Sequence, residues 1–217
     1  MKDHVTAFFT GKVPGADTAQ LGRIFNIGVD KIYMPIQKHT DKIVLIESSH
    51  LSPVTADAVI TKEPGMLIGV QVADCVPILL YEKGKGVMAA VHAGWRGTAE
   101  SILKKTIMTM TERFFGSAED ICIAIGPAIR GWCYQVDFDV FHAVSKATGP
   151  GDYSSTQGGK YYLDLPKANK HQALSSGIPE ENIWVSDDCT FCRPDKYYSY
   201  RFAKGTTGRQ GAFIGKL

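Results

Sequence analysis

The chain has 217 residues, a formal net charge of +2 at pH 7 and 44% hydrophobic residues, so it lacks the charge excess that draws proteins to nucleic acid or anionic lipid. No apolar run is long enough to cross a bilayer, and the first residues lead into no secretory hydrophobic region. Five cysteines, an odd number, favour reduced thiols in a cytoplasmic protein.

Short apolar runs bounded by turn residues predict many strands. The segment 82–86 reads as a hairpin turn between two of them. Glycine and serine enrich 148–160, which we interpret as a loop within one domain. The predicted strands cover 43–46, 58–60, 67–72, 77–81, 86–91, 121–125, 161–163, 183–186, 197–200 and 211–214.

Four helices are predicted, over 18–26, 98–115, 136–147 and 167–176. Thr98 is a candidate cap for the second, where Leu103, Ile107 and Met110 share one face. Many strands with interspersed helices indicate an α+β protein with mixed sheets.

Two segments at the ends of apolar runs carry metal-ligand side chains. Cys75 follows a predicted strand, and His92 follows the strand that the 82–86 hairpin would pair beside it. Gln37 and His39 would face the same side of an extended segment. His39, Cys75 and His92 could therefore gather into a three-ligand zinc site with an open position, the layout of a catalytic site.

Such a site would bind water and lower its pKa to roughly 7, which supplies a nucleophile at neutral pH. Asp57 and Asp74 are candidates for orienting the ligands or for acting as general base. The alternative is that Cys75 is a small core residue, as buried cysteines often are.

The loop from Gly94 to Gly97 precedes the predicted helix at Thr98. Its glycines let the backbone approach a ligand, and a helix N-terminus offers free N–H groups to an anion. Arg96 adds a forked donor suited to phosphate or carboxylate. The alternative is an ordinary strand-to-helix turn with Arg96 in a salt bridge.

Aromatic and cationic side chains accumulate near the C-terminus. Tyr200, Arg201 and Arg209 could bind substrate, because an aromatic ring can stack on a planar base. Sheet packing is the alternative. Cys189 and Cys192 form a lone CxxC without the second pair that a zinc ribbon needs, so we interpret them as structural or incidental.

These segments together resemble one family. The chain is similar, over roughly residues 35–217, to the laccase-domain family, whose members are called polyphenol oxidoreductases, purine nucleoside phosphorylases or peptidoglycan editing factors. The resemblance is carried, in order, by Ala56-Asp57-Ala58, Ala73-Asp74-Cys75-Val76-Pro77, His92-Ala93-Gly94-Trp95-Arg96-Gly97, Ile125-Gly126-Pro127-Ala128-Ile129, Cys133-Tyr134, Leu163-Asp164-Leu165, Tyr198-Ser199-Tyr200-Arg201 and Thr207-Gly208-Arg209.

The resemblance implies a four-layer α/β/β/α fold and a zinc site made of His39, Cys75 and His92. It also implies phosphorolysis of adenosine, inosine and methylthioadenosine, and deamination of adenosine. Cys75, His92, Asp74 and Arg96 would then be catalytic, and Gln37, Arg96, Tyr200, Arg201 and Arg209 would bind nucleoside and phosphate. The N-terminal segment is shorter than is usual in this family.

Three alternatives use the same residues. A Cys75–His92 hydrolase, acting in peptidoglycan precursor editing, would work without metal. A single-copper polyphenol oxidase is a second. A multicopper site would need about ten clustered histidines. The chain has six, and His4, His50, His142 and His171 lie in no ligand-like cluster. A metal-stabilised binding protein is the third, although we infer no obligate protein partner.

Overall fold

The computed structural model describes residues 4–47 and 52–217. Most predicted strands form, and several extend by one or two residues. Because many are buried on both faces, they read as continuous apolar runs. The strands are β1 Val5–Phe9, β2 Ile32–Tyr33, β3 Ile43–Ile46, β4 Ala58–Thr61, β5 Met66–Val72, β6 Val76–Glu82, β7 Val87–Ala93, β8 Ile121–Ile125, β9 Gln135–Val136, β10 Ser154–Gln157, β11 Lys160–Leu163, β12 Ile183–Val185 and β13 Gln210–Lys216.

The strands form two large sheets and one small one. A four-stranded sheet has the order β1-β13-β5-β2, and a six-stranded sheet has the order β12-β8-β6-β7-β4-β3. Both mix parallel and antiparallel pairs. β10, β11 and β9 form the small sheet. The α-helices are α1 Thr18–Phe25, α2 Trp95–Ala99, α3 Ile102–Phe114, α4 Phe138–Thr148 and α5 Leu165–Ser175.

Three buried clusters separate four layers. Leu21 of α1 packs with Leu67 and Phe213 on the outer face of the four-stranded sheet. Ile68 and Met88 lie in the cluster between the two large sheets. The largest cluster joins the six-stranded sheet to α3, α4 and α5. This arrangement is the α/β/β/α fold that the family resemblance implied.

The second predicted helix is wrong in its start and its continuity. Helix α2 begins at Trp95 after Gly94, and Ser101 adopts a left-handed conformation, with φ of 58°, before α3 begins. Thr98 is buried, its hydroxyl accepts a hydrogen bond from Asn169 and its carbonyl accepts one from Gln172. Thr98 is therefore a packing residue and not a helix cap.

Two other predictions need correction. The predicted strand 197–200 is irregular chain, because Ser199 donates a hydrogen bond to the carboxylate of Asp74 instead of joining a ladder. The predicted loop 148–160 contains β10, which pairs with β11 as a hairpin. Among the described residues, no helix combines the length and the apolar character required to span a membrane.

Candidate metal centre

Strand pairing brings Cys75 and His92 to one edge of the six-stranded sheet. The antiparallel β6–β7 hairpin pairs Val76 with Ala93 and Pro77 with His92, as the hairpin turn predicted. Cys75 precedes β6 in the short link by which the chain leaves β5 and the four-stranded sheet. His92 has the parity of Met88 and Ala90, so it faces the space between the two large sheets.

Asp57 holds the His92 ring from the neighbouring strand. Ala58 pairs with Val91 in the β4–β7 ladder, which puts Asp57 beside His92. The Nδ1 atom of His92 lies 2.8 Å from a carboxylate oxygen of Asp57, and both residues are buried. This contact leaves the Nε2 atom of His92 as the nitrogen that can bind a ligand, a common arrangement for metal-binding histidines.

The same carboxylate positions His39. Asp57 accepts hydrogen bonds from the backbone N–H groups of Lys38, His39 and Thr40, and from the Thr40 hydroxyl. His39 has a φ of 58°, so the chain turns here. The predicted extended segment is therefore wrong, because this turn around Asp57 replaces it.

The three ligand residues converge. A nitrogen of His39, the sulfur of Cys75 and a nitrogen of His92 all lie within 4.8 Å of one another. The Cys75 sulfur is 3.8 Å from Nε2 of His39. His39 is exposed, Cys75 half-buried and His92 buried. We call these three residues the His-Cys-His cluster, which faces solvent on the His39 side.

Gly94 leaves room beside this cluster. A Cβ atom at Gly94 would lie 3.0 Å from the Cys75 sulfur and 3.1 Å from Cδ2 of His39. These distances are shorter than ordinary van der Waals contacts, so a side chain here would crowd two of the three ligands. The first glycine of the predicted loop therefore serves close approach, as the sequence suggested.

The cluster favours an ionised thiol. Burial opposes ionisation of Cys75, but the charge of His92 and hydrogen bonds from both histidines outweigh it and lower the pKa of Cys75 to about 6. Burial likewise opposes a charged His92, but the Cys75 thiolate and the Asp57 carboxylate raise its pKa to about 9. Asp57 itself has a pKa well below its ordinary value, because hydrogen bonds from His92 and Thr40 overcome its burial.

The donor set fits a thiophilic divalent cation. One thiolate and two imidazoles are ligands that Zn²⁺ prefers, and the His39–Cys75 separation is close to an edge of a tetrahedron whose centre lies about 2.0–2.3 Å from its corners. The excess of negative charge on Cys75 and Asp57 would be offset by such an ion. The His-Cys-His cluster could therefore hold a metal.

The structure places Asp74 next to the cluster but turns its carboxylate away from solvent. Asp74 is buried and has a φ of 85°. Its carboxylate accepts hydrogen bonds from the hydroxyls of Thr190 and Ser199 and from the backbone N–H of Arg201. Asp74 thus ties the segment 190–201 to the link that carries Cys75.

Arg96 lies on the exposed side of the predicted anion loop. Its guanidinium lies over the Trp95 ring, 4.4 Å from the ring centroid. In the part of the chain that the structure describes, no carboxylate lies within ion-pair distance of it. Helix α2 has only five residues, so Arg96, rather than a helix N-terminus at Thr98, is the candidate anion contact.

The Arg201 guanidinium lies over the Tyr134 ring. The Arg201 guanidinium lies 5.2 Å from the centroid of the Tyr134 ring and donates to the carbonyl of Gln135. Burial and the nearby Cys75 thiolate raise the pKa of Tyr134 to about 12, so its hydroxyl stays protonated at neutral pH. Tyr134 was not predicted as a site residue, although its motif with Cys133 was visible. Tyr200 is 55% exposed.

Arg209 lines a neighbouring cleft, and Gln37 hydrogen-bonds to a residue in its wall. The Gln37 side chain donates to the carbonyl of Gln71 and accepts from its N–H, both at 2.8 Å. Gln71 also lines a cleft of 380 Å³ together with Lys12, Tyr198 and Arg209. This cleft brings two cations and an aromatic ring together, and Lys12 was not predicted as a site residue.

Of the other histidines, the described ones, His4, His142 and His171, do not extend the cluster. His50 lies outside the described residues. Within the described ranges, only the His-Cys-His cluster combines histidine with two other ligand residues at metal-binding distance. A second cluster there contains cysteines alone.

Comparison with known proteins supports the interpretation of the motifs. The family model described as "multi-copper polyphenol oxidoreductase laccase" matches residues 15–216, a range that includes every predicted site residue. A purine nucleoside phosphorylase of Clostridium acetobutylicum is 41% identical over 182 residues, which cover 82% of this chain and 74% of that protein. One of Bacteroides thetaiotaomicron is 34% identical over 192 residues, which cover 83% and 71%.

Solved structures share the fold. The crystal structure of YlmD from Geobacillus stearothermophilus matches with a TM-score of 0.90 and 31% identity, over 98% of this chain and 92% of that chain. The structure of the hypothetical protein YfiH from Bacillus licheniformis matches with a TM-score of 0.90 and 27% identity, over 98% of this chain and 93% of that chain.

Proposed function

Because this chain belongs to the multi-copper polyphenol oxidoreductase laccase family, and its relatives are named purine nucleoside phosphorylases, we propose that it is a zinc-dependent purine nucleoside phosphorylase. We propose adenosine, inosine and methylthioadenosine as its substrates, and deamination of adenosine as a second reaction. The single observation that carries this proposal is the convergence of His39, Cys75 and His92 within 4.8 Å in a chain with relatives of that name.

His39, Cys75 and His92 would hold the metal. We propose zinc over copper because the donor set suits it and because a purine reaction requires no change of oxidation state. A bound Zn²⁺ would supply Lewis acidity beside the substrate. Asp57 fixes the tautomer and direction of His92, and it fixes the backbone turn at His39, so a single carboxylate orients two ligands.

Phosphate requires a cation that no protein carboxylate already neutralises. Among the described residues, Arg96 has no carboxylate partner, and it follows Gly94, which leaves room beside the cluster, by two positions. Arg201 offers a second guanidinium, partly engaged with Gln135. We assign Arg96 as the main phosphate contact, because a guanidinium can bind an anion in a forked geometry.

The nucleoside would lie between the cluster and the cleft of Lys12, Gln71, Tyr198 and Arg209. Gln37 connects the two, since its amide holds Gln71 and its backbone leads to His39 two residues later. Tyr198 and Tyr200 offer aromatic faces for a purine. We assign Asp74 a positioning role, because three hydrogen bonds already occupy its carboxylate.

The direct test is to incubate the zinc-loaded protein separately with adenosine, inosine and methylthioadenosine, each with and without phosphate, and to separate the products by chromatography. From adenosine we expect adenine and ribose 1-phosphate only when phosphate is present, and inosine with or without phosphate. Adenine release without phosphate would make the enzyme a hydrolase. No turnover of any of the three nucleosides would refute the proposal.

A second candidate function rests on the arrangement of Cys75, His92 and Asp57. A thiol, an imidazole and a buried carboxylate in this order form the constellation of nucleophile, base and orienting acid that cysteine hydrolases use. This hydrolase, acting on a peptidoglycan precursor, would keep its activity after chelation of metal. The phosphorylase would lose its activity. We place either enzyme in the cytoplasm, in keeping with five free cysteines.

A further inference from the structure

Three cysteines outside the His-Cys-His cluster also converge. The sulfur atoms of Cys133, Cys189 and Cys192 lie within 4.8 Å of one another, and those of Cys133 and Cys192 are 3.3 Å apart. Cys133 lies in the loop after β8, and the other two lie in the loop after β12. A bridge between Ala128 and Cys189 holds these loops together. We call these residues the three-cysteine cluster.

A protein N–H group points at one of these sulfur atoms. The indole N–H of Trp132 donates to the sulfur of Cys192 at 3.4 Å. An N–H donor stabilises a thiolate more than a thiol, so the surroundings favour negative charge on Cys192.

The three sulfur atoms are close enough to one another to share a single cation. Those of Cys133 and Cys192 are 3.3 Å apart, and all three lie within 4.8 Å of one another. Three thiolates at this spacing would repel one another, and a cation among them would remove that repulsion. The arrangement therefore combines an N–H donor that favours a thiolate with a charge repulsion that a metal would relieve.

We propose that Cys133, Cys189 and Cys192 form a second metal site that holds a thiophilic d¹⁰ cation, Zn²⁺ or Cu⁺, through three thiolate sulfurs. Both ions prefer soft sulfur ligands. The CxxC pair supplies two ligands from one turn, and Cys133 closes the site from the other loop. The lone CxxC of the sequence thus gains its third ligand from a residue nearly sixty positions upstream.

The second site would stabilise the loop that supports the first. The segment that begins at Cys189 carries Thr190, Ser199 and Arg201, which bind the carboxylate of Asp74 beside Cys75. A metal at the three-cysteine cluster would fix the start of this segment against the loop after β8. The proposed role is structural, and it stands whether or not the chain is a phosphorylase.

The test uses a background that cannot bind metal at the first cluster. The variant His39→Ala/Cys75→Ser keeps only one first-site ligand and leaves the buried His92–Asp57 pair intact. Adding Cys192→Ser removes an exposed ligand of the second site, and adding Cys122→Ser instead is the matched control, because Cys122 belongs to neither cluster. Each reduced, metal-free protein is titrated anaerobically with Zn²⁺ or with Cu⁺, and bound metal is counted by native mass spectrometry.

We expect one ion in the background variant and in the Cys122→Ser control, and none after Cys192→Ser, with circular dichroism showing that all three are folded. Whichever of the two ions binds the background variant with the higher affinity is the metal that we assign to this site. Substitution with Co²⁺ should give thiolate-to-metal charge-transfer absorption that Cys192→Ser abolishes. Equal metal content with and without Cys192 would overturn the proposal. A reduced protein that binds neither ion, but whose oxidised form is lighter by two hydrogen atoms, would overturn it in favour of a disulfide.

If Cys192→Ser fails to fold, Cys133→Ser replaces it. A second readout is hydrogen exchange of the segment 189–201 in the background variant. We expect slower exchange when metal is added, and no change in the Cys192→Ser protein. Unchanged exchange in the background variant, despite bound metal, would contradict the structural role.

Discussion

The His-Cys-His cluster and the three-cysteine cluster each bring three ligand atoms within 4.8 Å of one another, but they are built differently. The first is positioned by the pairing of β4, β6 and β7, where the register places Asp57 beside His92, and Val76, the residue after Cys75, opposite Ala93. The second joins two loops through a single bridge. The first cluster lowers the pKa of its thiol to about 6, whereas the second raises that of Cys133 to about 12.

This difference teaches what each cluster is suited for. In the first, imidazoles stabilise the thiolate before any metal arrives, and the His39 side is open to solvent. Such preorganisation suits a site that must keep its ligands in place while a substrate binds and leaves. In the second, the raised pKa values of Cys133 and Cys189 mean that these two ligands become thiolates as the cation binds, which suits a site that orders two loops.

The largest expected effect is at His92. His92→Ala removes a first-cluster ligand, so zinc at that cluster should be lost and phosphorolysis should fall by about a hundredfold or more. Metal at the three-cysteine cluster should stay. Metal counting and product chromatography measure both. His142→Ala, an exposed histidine outside both clusters, is the control; normal zinc content at the first cluster in His92→Ala would refute the ligand assignment.

Asp57→Asn tests the orienting carboxylate. An amide donates where Asp57 accepts, so the bonds to His92, Thr40 and the backbone of residues 38–40 would weaken together. We expect zinc affinity at the first cluster to fall by about 10- to 100-fold, as for other residues that orient metal ligands. Competition with a chelator dye measures this. Asp41→Asn, a more exposed carboxylate paired with Lys105, should change nothing, and equal affinities in the two variants would argue against the orienting role.

Arg96→Ala tests the anion contact of the first cluster. Losing a charge-assisted contact should raise the KM for phosphate by about tenfold, which corresponds to roughly 1.4 kcal/mol. The KM for nucleoside should change less. Steady-state kinetics with phosphate varied at saturating inosine separate the two. Arg113→Ala, on the exposed face of α3, is the control, and an unchanged phosphate dependence in Arg96→Ala would exclude this role.

The smallest effect is the difference in proton release. At about pH 8, Cys75 with a pKa of about 6 is already a thiolate, and His92 with a pKa of about 9 carries a proton that zinc must displace. The first cluster should release about one proton, and its affinity should fall as pH drops. The second should release more, because the pKa values of Cys133 and Cys189 are raised.

Calorimetry in two buffers of different ionisation enthalpy measures these protons. In Cys192→Ser only the first cluster keeps all its ligands, and in His39→Ala/Cys75→Ser only the second does. Equal proton release from the two clusters would contradict the assignment of a substrate-binding role to the first cluster and a loop-ordering role to the second.

The sequence predicted the parts of the site that depend on strand pairing. The apolar runs and the turn at 82–86 were enough to place Cys75 beside His92, because a hairpin fixes its own register. The α+β class with mixed sheets followed from strands with interspersed helices, whereas the four-layer arrangement came from the family resemblance alone. The meeting of His39 with the other two was predicted for the wrong local reason, since it depends on a left-handed turn around a buried carboxylate 18 residues away.

What the sequence missed depends on tertiary hydrogen bonds. The aromatic segment 197–200 has the composition of a strand, but its Ser199 hydroxyl binds Asp74 and its Tyr197 hydroxyl binds Asp188. Thr98 looks like a helix cap, but Asn169 and Gln172 hold it in the core. Cys133 could not be linked to Cys189 and Cys192, because only the fold brings the loops after β8 and β12 together.

The most direct test of the first cluster is a crystal structure of the zinc-loaded protein with data collected at the zinc absorption edge. We expect an anomalous peak bonded to the Cys75 sulfur and to Nε2 atoms of His39 and His92, with one coordination position free of protein atoms. An absent peak at these residues in a protein that turns over nucleosides would contradict the account.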